Sequence, residues 1–186
     1  MLQMRLDLSS IDTQALAVVA GRLGELGLAV STLRQEMDAG PEAVGRVYRC
    51  HMMCRLRQPP TALRREPLPF DGWRESFVSG PDALPDAYFI AEQGGACVGV
   101  CLLARVGGRA DALVSGFTGT LPAWGGKGVA KALKAHALLH AARQGYGWVE
   151  TSNLQVNRGM CAINRALGFQ VVGRHLHTYP AAVGPC

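Results

Sequence analysis

The sequence predicts a mixed α/β fold in which one sheet, antiparallel at first and interleaved with helices later, carries helices on its faces. Two observations carry this. Residues 87–121 hold three strand-like runs separated by the glycine turns Gln93-Gly94-Gly95 and Gly107-Gly108. Residues 129–179 then alternate helix, strand, helix, strand. Antiparallel hairpins followed by βαβαβ units imply a single mixed sheet.

The elements follow in order. Met4 to Leu8 alternates apolar and polar residues like a short strand. Thr13 to Leu26 places Leu16, Val19, Ala20 and Leu23 at helical spacing, and Gly27 closes it. Leu28 to Leu33 reads as a strand. Pro41 opens a helix whose apolar face is Val44, Val47, Tyr48, His51, Met52 and Leu56, ending near Arg57 before Gln58-Pro59-Pro60. Thr61 to Asp86 holds four prolines and reads as loop with one short helix near Gly72 to Val78. The meander is Ala87 to Glu92, Ala96 to Val106 and Ala112 to Leu121. A helix from Val129 to Gln144, stopped by Gly145, precedes a strand at Trp148 to Asn153, a helix at Gly159 to Leu167 and a last strand at Phe169 to Tyr179.

Composition limits the function classes. The 186 residues are 48% hydrophobic, 18% charged and 6% aromatic, ordinary for one globular domain and unlike a disordered or fibrous chain. The uncharged apolar runs, Ala15 to Ala20 and Ala96 to Ala104, are too short to span a bilayer as helices, and Met1 to Ser10 lacks the features of a signal peptide. A soluble cytoplasmic chain is expected, with no membrane partner. The net charge of +5 is unevenly spread. Residues 1–111 carry 12 bases and 13 acids, whereas residues 112–186 carry 7 bases and one acid, Glu150. A half nearly free of carboxylates suits an anionic ligand such as a polyphosphate. Nucleic acid is not expected as a partner, because neither aromatic platforms nor a basic reading helix is evident.

Six cysteines are present, Cys50, Cys54, Cys97, Cys101, Cys161 and Cys186. The two x3 spacings do not match zinc or redox motifs, and Cys50-His51 with Cys54 lacks a second ligand group, so no metal is expected. Cys97 and Cys101 lie in one strand-like run, where strict alternation puts both side chains on one face. Free buried thiols are the expected state.

The stretch Thr118 to Ala130 carries the clearest chemistry. Gly125, Gly126 and Gly128 let the backbone turn tightly and aim several N–H groups at one point. The N-terminus of the following helix adds partial positive charge, and Lys127 adds a full one, making an anion cradle suited to a pyrophosphate. Six residues separate Gly119 from Gly126-Lys127 and Gly128 stands where a Ser or Thr would hold magnesium, which excludes a P-loop. Lys131 at the third glycine position, after an antiparallel meander, weakens a dinucleotide fingerprint.

The run Phe117 to Lys134, followed by Thr151-Ser152-Asn153, Asn157, Met160, Asn164 and Leu167-Gly168-Phe169, resembles the GNAT acyltransferase family. The family loop pattern of Arg or Gln, two residues, Gly, one residue, Gly or Ala falls on Gly125, Gly126-Lys127, Gly128, Val129 and Ala130, with Gly125 at the Arg/Gln position. Asn157, Met160 and Asn164 match the downstream helix, where Asn164 stands at a position that is often Tyr in the family and often serves as the acid for the departing thiolate. An amide is no practical proton donor.

The resemblance implies a mostly antiparallel central sheet whose middle strands splay apart, helices on both faces, and acetyl-coenzyme A as co-substrate. The pantetheine arm then takes main-chain hydrogen bonds from Thr118, Gly119 and Thr120, and a backbone N–H near Thr118 meets the thioester carbonyl. The implied cofactor set is Thr118, Gly119, Thr120, Gly125, Gly126, Lys127, Gly128, Val129, Ala130, Asn153, Asn157, Met160 and Asn164. No catalytic residue is assigned: Glu92, Asp111, Glu150, His136, His140, His175 and His177 are the candidate bases and none stands out.

The expected activity is N-acetyl transfer to a primary amine, small molecule or peptide, by direct attack in a ternary complex. The alternative is a non-catalytic acyl-CoA-binding or regulatory domain. Residues 28–186 are expected to form the acyltransferase domain, and residues 1–27 a strand-helix extension like the tail of a preceding unit in two-unit members. That extension would pair with the sheet edge or with a second subunit, as in a homodimer.

Overall fold

The structure is a computed structural model that describes residues 1–58 and 68–174. Its strands are β1 (Leu2–Asp7), β2 (Ala29–Thr32), β3 (Tyr88–Gln93), β4 (Ala96–Val106), β5 (Arg109–Thr120), β6 (Trp148–Asn153) and β7 (Gln170–Arg174). Its helices are α1 (Thr13–Glu25), α2 (Leu33–Ala39), α3 (Pro41–Leu56), α4 (Phe70–Arg74), α5 (Val129–Arg143) and α6 (Arg158–Ala166). The strands form one sheet in the order β2-β3-β4-β5-β6-β1-β7, antiparallel throughout except for β5 beside β6. This is the mixed sheet the sequence predicts.

Local chemistry accounts for the boundaries. Asp12 caps α1 by accepting from Ala15 N at 2.9 Å. Thr32 and Gln35 form a reciprocal capping box that starts α2, a helix in a stretch to which, past Leu33, the sequence analysis assigns no element. Gly40, at φ 111°, separates α2 from α3, where Pro41 occupies the first turn. The short helix expected at Gly72 to Val78 starts at Phe70 and continues past Arg74 as a wider π turn, Glu75–Ser79.

Two cores lie on opposite faces. One buries Leu16 and Leu23 of α1, Leu133 and Leu138 of α5, and Val98, Cys101 and Leu103 of β4. The other buries Leu33, Val44, Val47, Cys50 and Cys54 from α2 and α3 with Trp73, Val100, Leu102 and Phe117. Cys97 belongs to the second core and Cys101 to the first, so the two thiols face opposite sides. The expectation of one shared face fails because the β3–β4 ladder slips: Ala91 pairs with Gly99 but Glu92 with Cys97, inserting one extra residue into the alternation.

β1 runs between β6 and β7, pairing with both, so Leu2–Asp7 forms an inner strand of the sheet. Leu2, Met4, Leu6 and Leu8 join α1 in the first core. The last strand is described only from Gln170 to Arg174. His175, His177 and Cys186 lie outside the described residues.

Candidate active site

β5 and β6 pair through only three positions, Ala112 with Trp148, Leu113 with Val149 and Val114 with Glu150. Beyond them β5 carries a bulge: Leu102 pairs with Phe117 but Leu103 with Ser115, leaving Gly116 over. A bulge bends its strand and increases the twist, which turns β5 away from β6. Thr151 Oγ1 still reaches across to donate to Ser115 O at 3.1 Å, and past that contact the strands part. Parallel strands that separate this way leave backbone groups aimed into the gap.

The gap is a cleft of ≈ 420 Å³. Its floor and walls are Ser115 to Pro122 on one side and Thr151 to Asn153 on the other, with Gly125, Ala130 and Lys134 from the loop and α5, Asn157 and Met160 from α6, and Cys54, Arg57 and Gln58 at the end of α3. No Asp, Glu or His is among these described wall residues.

Glycine is required at the tightest point. A Cβ on Gly119 would lie 2.7 Å from Cys54 Cβ and 3.1 Å from Phe117 Cζ. The loop after β5 makes a short turn at Pro122–Trp124, then passes through Gly126 (φ 73°) and Gly128 (φ 87°), conformations that favour glycine. Gly128 stands at the N-cap of α5 and no side chain caps the helix, so its first N–H groups remain turned outward beside the cleft.

Of the thirteen residues implied for cofactor binding, Thr118, Gly119, Thr120, Gly125, Ala130, Asn153, Asn157 and Met160 line the cleft. Gly126, Lys127 and Gly128 are exposed at its outer end, and Lys127 Nζ sits 4.7 Å over the Trp124 ring. Val129 is buried in the first core. Asn157 caps α6, accepting from Met160 N at 3.2 Å. Asn164 is fully buried, below the cleft rather than on its surface.

One buried polar group of the cleft wall is absent from the set the sequence implies. Lys134 is 1% exposed, yet its Nζ donates to Asn164 Oδ1 at 2.5 Å and lies 5.2 Å from the Phe169 ring centre. Burial pulls its ammonium down to about 8, against a partly opposing contribution from Cys101. Cys101 Sγ is 3.2 Å from Thr118 Oγ1, and burial pushes this thiol up. Cys54 is likewise pushed up, by its hydrogen bond to Cys50 and then by burial.

The bases weighed from the sequence lie elsewhere. Glu150 turns away from the cleft, bound to Arg109 Nη1 at 2.6 Å and Arg5 Nε at 3.1 Å. Asp111 pairs with Arg109 at 3.6 Å. Burial raises Glu92, which stands near Glu36 and Arg46. His136 and His140 pack against Phe89. His51 is buried under Phe117, its ring stacked at 4.3 Å, and accepts at Nδ1 from Trp73 Nε1 at 3.3 Å. Burial and then Arg55 lower His51 to about 3. Among the described residues no group of three metal-ligating side chains comes together, and no helix is long and apolar enough to cross a membrane.

Comparisons with known proteins bear on this arrangement. A GNAT N-acetyltransferase from Sphaerobacter thermophilus shares the fold at TM-score 0.62 and 19% identity, covering 91% of this chain and 47% of that one. A tandem GNAT protein from the clavulanic acid biosynthesis pathway matches at TM-score 0.59 and 19% identity, covering 91% and 49%. The diaminobutyrate acetyltransferase of Paenibacillus lautus, solved with its substrate and coenzyme A, matches at TM-score 0.52 and 16% identity, covering 75% and 73%. The chain thus spans about half the length of the first two. No curated protein sequence matches it. The model of the GNAT acetyltransferase family matches residues 50–169, a stretch that holds the bulged strand, the glycine loop, α5 and α6, and on this match the chain belongs to that family.

Proposed function

We propose that this chain is an acetyl-coenzyme A-dependent N-acetyltransferase that moves an acetyl group to a primary amine by direct attack in a ternary complex. The observation that carries the reading is the parted β5–β6 pair. Beyond Val114 and Glu150 the two strands no longer pair with each other, which leaves the facing edges of Gly116–Thr120 and Ser152–Asn153 without a ladder partner and leads to the uncapped N-terminus of α5. The residues present fit coenzyme A. Main-chain groups of Thr118 and Thr120 suit the amides of an extended pantetheine arm, Gly119 keeps the wall flat, and the helix terminus with Lys127 suits the pyrophosphate. Bound there, the cofactor supplies the activated acyl group.

This chain's own contribution is positioning, exclusion of water and a main-chain donor near Thr118 for the carbonyl oxygen. With no carboxylate or imidazole among the described wall residues, the amine reaches the cleft neutral or loses its proton to water. That same feature supports the second reading, a domain that binds acyl-CoA without turnover.

Calorimetry with coenzyme A, then thiol release from acetyl-CoA across a panel of small amines and peptides, tests both. Binding near micromolar affinity is expected. At a hundredfold excess over Kd it would add about 2.7 kcal/mol of stability. Amine-dependent thiol release removes the second reading. Binding without release removes the first, and no binding by the folded protein removes both. Lys127→Ala should weaken coenzyme A and reduce the salt dependence of its affinity; an unchanged affinity would exclude the phosphate contact.

A further inference from the structure

Within the cleft wall, three described side chains carry an acid–base group on nitrogen or sulfur, Cys54, Arg57 and Lys134, while the amides of Gln58, Asn153 and Asn157 are no practical proton donors. A guanidinium does not give up its proton in a protein. Cys54 is held protonated by its hydrogen bond to Cys50 and by burial. Lys134 remains. It projects from the second turn of α5 and lines the same cleft as Thr118 and Thr151, and Asn164 Oδ1 fixes its ammonium at 2.5 Å. Met160 Sδ lies 4.0 Å from Nζ. Asn164 is the residue at the position where the family resemblance implies an acid, so the amide that cannot donate a proton holds a group that can.

We propose that Lys134 is the proton donor to the coenzyme A thiolate as the acyl group leaves, with Asn164 as the residue that positions it. The proposal rests on the acetyltransferase reading above. In the step, the acceptor nitrogen bonds to the acyl carbon and the carbon–sulfur bond breaks with its electron pair going to sulfur. Sulfur takes a proton from Lys134 Nζ. The proton lost by the acceptor nitrogen goes to water, and neutral Lys134 recovers one from solvent.

The energetics match. Burial leaves the Lys134 ammonium near 8, close to the value of about 8.5 for an ordinary thiol, so transfer between them is nearly balanced. A lysine at its ordinary value would hold its proton too firmly. The groups facing Lys134 are Cys101 on β4, which favours its charged form, and the uncharged Asn164 and Met160 of α6 and the ring of Phe169. Among the described residues no carboxylate pairs with it to pin the charge.

The test reads the bound thiol directly. Coenzyme A is bound to the intact protein and to Lys134→Met, and thiolate absorbance is followed against pH. In the unchanged protein the bound thiol should ionise at lower pH than in Lys134→Met, with about tenfold more thiolate at the same pH when both proteins are saturated with coenzyme A. Identical thiol titrations would overturn the proposal. Failure of coenzyme A to bind either protein would instead overturn the function reading beneath it.

A second measurement needs no substitution. With 15N-labelled lysine, the resonance that titrates near 8 should move on adding coenzyme A and stay in place with desulfo-coenzyme A. Equal movement with both would show that Lys134 does not meet the sulfur and would overturn the assignment, even if Lys134→Met fails to fold.

Discussion

Lys134 should leave a signature in stability that is independent of any ligand. Its ammonium is buried and titrates at about 8, against 10.5 in the open. That fall corresponds to about 3 kcal/mol withheld from folding while both states are charged. The sign follows from proton counting. Below pH 8 folded and unfolded chains both hold the proton, and the whole cost stands. Between about 8 and 10.5 the unfolded chain holds more protons than the folded one, so stability rises with pH. Over pH 7 to 9.5 the gain from this residue alone is about 2 kcal/mol. Lys134→Met removes the dependence. It also strips Asn164 Oδ1 of its donor, at a cost of about 1–3 kcal/mol, so the variant's stability at pH 7 is a poor discriminator. The difference between the two proteins across pH is the useful quantity. Cys50, Cys54 and Tyr88 are pushed up in the fold and lower stability above about pH 9, but they do so in both proteins. Cys101, which the Lys134 ammonium partly holds down, is pushed up further in Lys134→Met, a change that adds to the difference. Urea unfolding followed through the buried Trp73 at several pH values should show the unchanged protein gaining on Lys134→Met by about 2 kcal/mol from pH 7 to 9.5. Parallel profiles would mean that the ammonium is not desolvated, and the argument from burial would fail.

Gly119→Ala puts a methyl 2.7 Å from Cys54 Cβ, about 0.8 Å inside the optimum of about 3.5 Å, with neither partner free to swing away. A loss of about 1–3 kcal/mol is expected, with Tm lowered by about 2–4 °C per kcal/mol in a thermal scan; an unshifted Tm would show that the wall is looser than its geometry. Glu150→Gln should cost under about 1 kcal/mol, because the Arg5 and Arg109 pairs are half-exposed, and should leave acetyl transfer unchanged in a steady-state assay. His51 is neutral in the fold down to about 3, whereas an unfolded histidine takes its proton near 6.5, so stability present above 6.5 is lost as pH falls toward 3. Acid unfolding should be shallower over that window in His51→Gln than in the unchanged protein.

How far the sequence reached depended on how local each determinant was. The edges of α1, β4 and β6 were legible because their signals are neighbours in the chain: a glycine turn, a cap, a period of two or 3.6. α2 was not, because seven residues between a strand and Gly40 show too little periodicity, and the Thr32–Gln35 box that starts it is a side-chain event. The opposite facing of Cys97 and Cys101 was hidden for a related reason. A bulge is decided by how two strands register, and neither strand states it alone. The place of β1 inside the sheet likewise depends on β6 and β7, more than 140 residues away.

The site divides along the same line. Its backbone part was readable because glycines at fixed spacing encode turn geometry, and Gly126 and Gly128 adopt the left-handed conformations that such a loop needs. Its side-chain part was hidden by the very helix that carries it. α5 is buried nearly all round, from Val129 through Ala141, so it offers no polar stripe against which an inward lysine would stand out. Lys131 and Lys134 look alike in the sequence, yet the first is partly exposed and the second is buried against the cleft. What separates them is the partner. Lys134 meets Asn164 thirty residues on, and a buried charge persists in a fold only where such a contact offsets part of its desolvation. In the sequence Asn164 reads as a missing acid. In the structure the same residue is half of a pair, and its partner is a buried ammonium.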